Sequence, residues 1–300
     1  MRAKAGYLVL LISALCSTPI LAESPNKDWL LYEQANTAAD QKEYGKALQL
    51  YKAAIESAGI FPEAEAAIGD VYKAETELSL AEKQYQKAYD LRKSLYIPDQ
   101  QYDILYKLAD LFNLQQQYKP MEDELTLIVS DDKRFQETPN QLLRTQVIKN
   151  YKDNGIDRVL VLYNFNDSFA AAAHSRLGFF YYQTGMYWEQ SVPHLLYAVI
   201  YRVSQIERAR RERDADYEFS SLSELLTAVD SDPELKAYAL STGLFADFYY
   251  LAGSTYQTFP FRAQDIWKSL SMVQAAGKFK DLSARQLKKP FLEPLLRITR

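Results

Sequence analysis

The side chains that could do chemistry are few and scattered. The chain has 300 residues, two histidines (His174 and His194) and one cysteine, Cys16. It has no HExxH motif and no cysteine pair, so a zinc site lacks its usual ligands. It also lacks a GxSxG elbow to raise a serine nucleophile and a glycine-rich loop to cradle a phosphate. Carboxylates are plentiful. The groups Glu63, Glu65 and Asp70, and Glu122, Asp123 and Glu124, read as solvated helix residues rather than as a general acid–base pair. The two histidines read as helix-contact residues. No catalytic residue, metal site or cofactor is expected, which leaves the question of what elements the chain builds and what surface they present.

Those elements announce themselves by repetition. Laying Asp28–Phe61 over Pro62–Leu95 places Ala47 on Ala81, Tyr51 on Tyr85 and Ala54 on Ala88, an offset of 34 residues. Upstream, Ala35 falls on Gly69 and Ala38 on Tyr72. Each unit reads as two amphipathic helices, with Leu31, Ala35 and Ala38 on one face of the first. Ala47, Leu48, Tyr51, Ala54 and Ile55 share a face of the second. Small residues at 35 or 69 and at 47 or 81 let the paired helices approach, and the tyrosine fills the groove beside them.

This alternation of small and aromatic positions in a 34-residue helix-turn-helix resembles the tetratricopeptide repeat. The resemblance is close over about 60 residues. It implies an all-α, helical-hairpin solenoid, regular in its N-terminal half and degenerate in its C-terminal half. It further implies a partner-binding groove lined by each unit's first helix. The ligand-facing positions carried across are Trp29, Tyr32, Asn36 and Asp40, then Glu63, Ala66, Asp70 and Lys73, then Asp103, Tyr106, Asp110 and Asn113. One subclass of the family grips a peptide carboxylate with Lys and Arg around two Asn. Only Asn36 and Lys107 match that set, with Tyr32, Ala67 and Asp103 at the other positions. An acidic groove of this kind would repel a carboxylate and suits a neutral or basic segment, or a helix with apolar anchors.

Composition agrees with a helical globular chain. Hydrophobic residues make up 48% and charged ones 25%, with only 10 Gly and 11 Pro. A net charge of −4 gives no electrostatic reason to expect nucleic acid. The basic run at Arg208, Arg210, Arg211 and Arg213 is interleaved with acids and reads as a solvated helix face. The 23 tyrosines suit large positions at helix contacts, with a binding surface as the second reading.

Residues 1–22 read as a secretory signal. Arg2 and Lys4 precede an apolar core from Tyr7 to Leu15, and Ala22 offers a cleavage point. Cleavage there would leave Glu23 first and discard Cys16, giving a periplasmic protein without disulfides. The alternative is a lipoprotein anchored at Cys16, against which stands Leu15 where lipoprotein processing prefers a small residue. Membrane contact is expected only in that case.

Three segments follow: the signal at 1–22, repeats at 23–130, and a helical domain with degenerate repeats and a cap at 131–300. In the third repeat, with six extra residues, Ala109 and Phe112 take the places of Gly69 and Tyr72. Its second helix runs from Met121 to Val129, without the alanine pair. Pro139 opens a helix ending at Asn154-Gly155, and Val159–Tyr163 reads as a short helix. Phe169–Tyr182 begins a fourth unit around Gly178, continued by Ser191, Leu195 and Ala198 to about Asp214. Phe219–Val229, one long helix over Glu234–Tyr256, and Phe261–Ala276 complete the pattern, with 280–300 as a solvated cap.

The expected function is non-catalytic protein binding, as an adaptor or scaffold for a cell-envelope complex. The alternative is a periplasmic small-ligand binder using an aromatic pocket of Phe179, Phe180, Tyr181, Tyr182, Trp188, Phe248, Tyr249, Tyr250 and Trp267.

Overall fold

A computed structural model describes residues 27–138, 142–166, 168–291, 293 and 295–296. The proposed signal and Cys16 lie outside the described residues. So does Pro139, the expected start of the helix before Asn154. The helices are α1 (Lys27–Asp40), α2 (Tyr44–Ala58), α3 (Pro62–Ala74), α4 (Leu78–Asp90), α5 (Gln100–Leu114), α6 (Tyr118–Ser130), α7 (Leu143–Asn154) and α8 (Ile156–Leu162). They continue with α9 (Ala171–Gln183), α10 (Val192–Arg211), α11 (Leu222–Ser231), α12 (Pro233–Thr242), α13 (Leu244–Tyr256), α14 (Pro260–Ser271) and α15 (Lys278–Lys288). The chain is all-helical, and sequence neighbours pack as antiparallel pairs: α1 with α2, α3 with α4, α5 with α6, α9 with α10, and α13 with α14. Contacts divide it into two units, between Gly59 and Ile60. Packing is continuous past residue 130, where α6 rests on α9.

One turn recurs in four of these pairs. Lys42, Thr76 and Gln116 take left-handed φ values of 61°, 63° and 58°, and Gly185 takes 79°. After each, an N–H reaches back to close the preceding helix: Glu43 to Ala38 O (2.8 Å), Glu77 to Tyr72 O (2.9 Å), Gln117 to Phe112 O (2.8 Å) and Met186 to Tyr181 O (2.9 Å). This closes the orphan carbonyls of each helix end. Three of the four turns hold a side chain where glycine would be free of strain.

The small positions do what their spacing predicts. In the first unit Ala35, Ala47 and Ala54 are wholly buried around Tyr51. In the second, a Cβ placed on Gly69 would meet Tyr85 Cε1 at 2.5 Å, and one on Gly178 would meet Leu195 Cγ at 2.6 Å. Sixteen positions separate the first pair and seventeen the second. The extra residue is absorbed by a π-helical turn, Tyr187–Ser191, ahead of α10. Ser191 then occupies the small position and donates its hydroxyl to Gly178 O at 2.7 Å.

A continuous apolar core runs from Ala66 to Ala276 in the second unit. One charged contact crosses it: Arg202 of α10 pairs with Asp247 of α13, and Ser175 of α9 donates to Asp247 at 2.6 Å. Burial pulls the Arg202 guanidinium down to about 10, still charged at neutral pH.

Three expectations need correction. The helix expected over Glu234–Tyr256 is two, because Gly243 takes φ +76° and ends α12. The helix expected to reach Ala276 stops at Ser271, before a 3-10 turn and Gly277 at φ +53°. The basic run is not simply solvated: Arg210 and Arg213 converge on Asp232, whose carboxylate caps α12 through the N–H groups of Glu234 and Leu235. Val159–Leu162 is helical, within α8, as expected.

Candidate functional site

In the first unit the proposed groove residues form an aromatic edge on α1. Trp29 meets Tyr32 edge-on at 5.5 Å, and Tyr32 leans on Tyr51 at 5.7 Å. Asn36 accepts the Tyr51 hydroxyl at 2.7 Å, and Asp40 is exposed at the helix end.

In the second unit the first helices α3, α5 and α9 place the remaining candidates in very different surroundings. Glu63 is not presented to solvent. It is buried, and its Oε1 accepts the backbone N–H of Tyr96 at 2.7 Å. Ala66 is buried too. Asp70 is exposed but engaged, accepting the Tyr85 hydroxyl at 2.8 Å and Lys107 Nζ at 2.5 Å. The bond from Tyr85 to Asp70 repeats that from Tyr51 to Asn36, 34 positions on. Lys73 is half-buried and Asp103 exposed.

Tyr106 is covered by the chain's own connection into α9. Its hydroxyl donates to Phe169 O at 2.6 Å and accepts from Ala173 N at 2.9 Å, which satisfies a free N–H of the first turn of α9. Phe169 stacks face to face on Tyr102 with ring centroids 3.7 Å apart. Burial pushes the Tyr106 hydroxyl up to about 12, so it stays protonated as this double contact requires.

Asp110 accepts from Arg176 at 2.6 Å, and the Arg176 guanidinium lies 5.1 Å over the Tyr106 ring. Lys107 and Arg176 hold equivalent places on α5 and α9, because 69 residues separate both this pair and the turns at Gln116 and Gly185. Each cation reaches back to a carboxylate of an earlier helix, Asp70 or Asp110. The acidity expected of the groove is reduced: Asp70 and Asp110 are paired with cations, while Asp40 and Asp103 stay exposed. Pairs this exposed contribute only about 0–1 kcal/mol each to stability, so their main effect is on the charge the face displays.

Between α5, α6 and α9 lies a cleft of about 290 Å³. Met121, Leu125, Phe179 and Phe180 give it apolar surface, and Tyr118 stacks on Phe180 at 6.2 Å. Asp110, Asn113, Arg176 and Gln183 supply its polar groups. Of the proposed site residues, Asp110 and Asn113 meet here. Arg176 and Gln183 were not among them, and Phe179 and Phe180 were expected only in the alternative aromatic pocket. Phe179 stands 69 positions after Asp110, so carrying the repeat register into the fourth pair finds it. No nucleophile with an adjacent base lines this cleft. What it offers is an apolar floor for a side chain and polar groups for a peptide backbone.

Comparison with other proteins adds little that is functional. No protein-family model matches the chain. It is similar to an uncharacterized protein of Treponema pallidum (strain Nichols), 26% identical over 255 residues. That match covers 82% of this chain and 66% of the relative, just under two thirds of its length.

Proposed function

We propose that the chain is a tetratricopeptide-type helical-hairpin scaffold, exported to the bacterial cell envelope, that binds a protein partner without catalysing a reaction. The partner would lie along α5 and α9 and seat an apolar side chain in the cleft between α5, α6 and α9. The observation that carries this reading is the cleft itself: aromatic walls, polar groups able to meet a peptide backbone, and an Asp110 carboxylate already paired with Arg176. Four identical turns and the small-against-large packing of Gly69 and Gly178 support the repeat assignment. Export rests on the charged start, apolar core and small residue of positions 1–22. Among the described residues no helix is long and apolar enough to cross a membrane.

The aromatic-pocket alternative finds less support. Phe248, Tyr249 and Trp267 are at most 1% exposed and serve as core. Trp188 stacks on Tyr151 and meets Phe259 edge-on, and the Tyr181 hydroxyl is held by Glu122 at 2.7 Å.

The test is affinity capture from the envelope fraction with wild type, Phe179→Asp and Asn113→Arg. A stoichiometric protein partner lost in both variants, with unchanged helical circular dichroism, is the expected result. Retention of that partner by both variants removes the cleft from the account. Mass analysis of the mature N-terminus separates Glu23 from a lipid-modified Cys16.

A further inference from the structure

Both histidines of the chain lie in one buried cluster, 20 residues apart in sequence, at the contact of α9 with α10. Asp132, in the loop after α6, starts it. Its Oδ1 accepts Arg134 N at 2.9 Å, and its Oδ2 accepts the Tyr201 hydroxyl at 2.6 Å and faces His174 Nε2 at 3.3 Å. Burial alone would raise the Asp132 carboxyl. The hydrogen bonds from His174, Tyr201 and Arg134 N outweigh it and hold the group ionised. His174 Nδ1 in turn faces His194 Nδ1 at 3.0 Å.

Donor and acceptor roles follow from one end. An ionised Asp132 only accepts, so His174 carries its proton on Nε2. A neutral His174 then has a bare Nδ1, which accepts from His194 Nδ1–H. That leaves His194 with a bare Nε2. Burial keeps both rings neutral, against the pull of Asp132 on His174 and reinforced at His194 by Arg144.

His194 is buried, at 7% exposure, and it lines a second pocket, of about 340 Å³, that shares no lining residue with the cleft. Phe135, Ile148 and Pro193 give this pocket apolar wall. Glu137 is held by Arg144 at 3.0 Å and by Thr145 N at 2.7 Å, so that pair is neutral. Glu189 also lines the pocket and has no ion-pair partner among the described residues. Glu189 belongs to the π-helical turn, a distortion often found at functional sites.

We propose that this pocket binds a small organic amine as its ammonium ion, through an N–H donated to His194 Nε2 and the negative charge of Glu189. The apolar wall takes the carbon body of the ligand. This inference is independent of the protein-binding cleft.

With only two histidines, ring ¹⁵N NMR reads every nitrogen involved. The free protein should show His174 protonated on Nε2 and His194 protonated on Nδ1. Titration with n-propylammonium should then move the His194 Nε2 signal, while tetramethylammonium, of equal charge but without an N–H, should not. Glu189→Gln should weaken n-propylammonium binding up to about fivefold, the range of an exposed pair. His194→Gln should weaken it about ten- to a hundredfold. Glu189 is exposed, so its variant folds and keeps the test decisive. A free protein with His194 protonated on Nε2, no shift with n-propylammonium, or an equal shift with tetramethylammonium each overturns the proposal.

Discussion

Replacing Gly69 with alanine sets a local gain against a clash. In an open helix interior the change stabilises by about 1 kcal/mol, because alanine is the better helix former. Here the new Cβ would sit 2.5 Å and 2.6 Å from Tyr85 Cε1 and Cδ1, roughly 1 Å inside ordinary carbon contact. Tyr85 is fully buried, and its hydroxyl is tied to Asp70 at 2.8 Å. The ring cannot swing aside without breaking that bond. Overpacking costs about 1–3 kcal/mol, and losing a hydrogen bond to a charged group about 1.5–3 kcal/mol. The helices can relieve part of this by spreading, since the first pair has Ala35 and Tyr51 at the equivalent positions. Net destabilisation of about 1–2 kcal/mol is expected after the propensity gain. Urea unfolding followed by helical circular dichroism measures it, on wild type, Gly69→Ala, Tyr85→Leu and the double variant. The third pair already combines Ala109 with Leu125, so the double variant should be more stable than the sum of the singles by about 1 kcal/mol or more. Additive effects, or stabilisation by Gly69→Ala alone, would refute the interlocking argument.

Other consequences follow from single features. Thr76→Gly should stabilise by about 0.5–1 kcal/mol, since a β-branched residue at φ +63° is strained there and glycine is not; the urea midpoint reports it. Asp247→Ala strands the buried Arg202 charge and should cost about 3–5 kcal/mol, whereas Arg202→Met with Asp247→Leu should recover most of the loss, read as melting temperature. Acid should destabilise the fold early. Both histidines are held below the ordinary value of about 6.5, so the unfolded chain binds more protons below that pH. Their contribution is complete above about 6.5 and is lost as pH falls, at up to about 1.4 kcal/mol per pH unit for each ring. His194→Gln should flatten this slope in urea midpoints measured at descending pH; an unchanged slope contradicts it.

The local architecture was legible because it rests on local rules. The offset of 34 residues, the small positions at Gly69 and Gly178, and the fourth hairpin through Ser191, Leu195 and Ala198 all register in helical spacing. Breaks that depend on one backbone angle were harder. Gly243 lies inside an apolar stretch whose periodicity continues on either side, so nothing but its φ of +76° divides α12 from α13. The π-helical turn leaves no periodic trace beyond one residue. The site was less legible than the fold. Tyr106 has the spacing of a ligand-facing residue, yet a backbone segment 63 positions downstream covers it. Asp110 and Arg176 meet across 66 residues, and His174 and Asp132 across 42. Spacing within a helix cannot predict such partners.

Binding of a protein in the cleft between α5, α6 and α9 is what we propose for this chain. Its most direct test is a photo-reactive amino acid at Asn113 or Gln183, with controls at the exposed positions Lys83 and Lys268. Irradiation in cells followed by mass spectrometry should give one protein adduct at both cleft positions and none at the controls. The adduct should carry an apolar side chain at its cross-linked segment. Equal labelling at all four positions, or none at Asn113 and Gln183 with native expression, would contradict the claim.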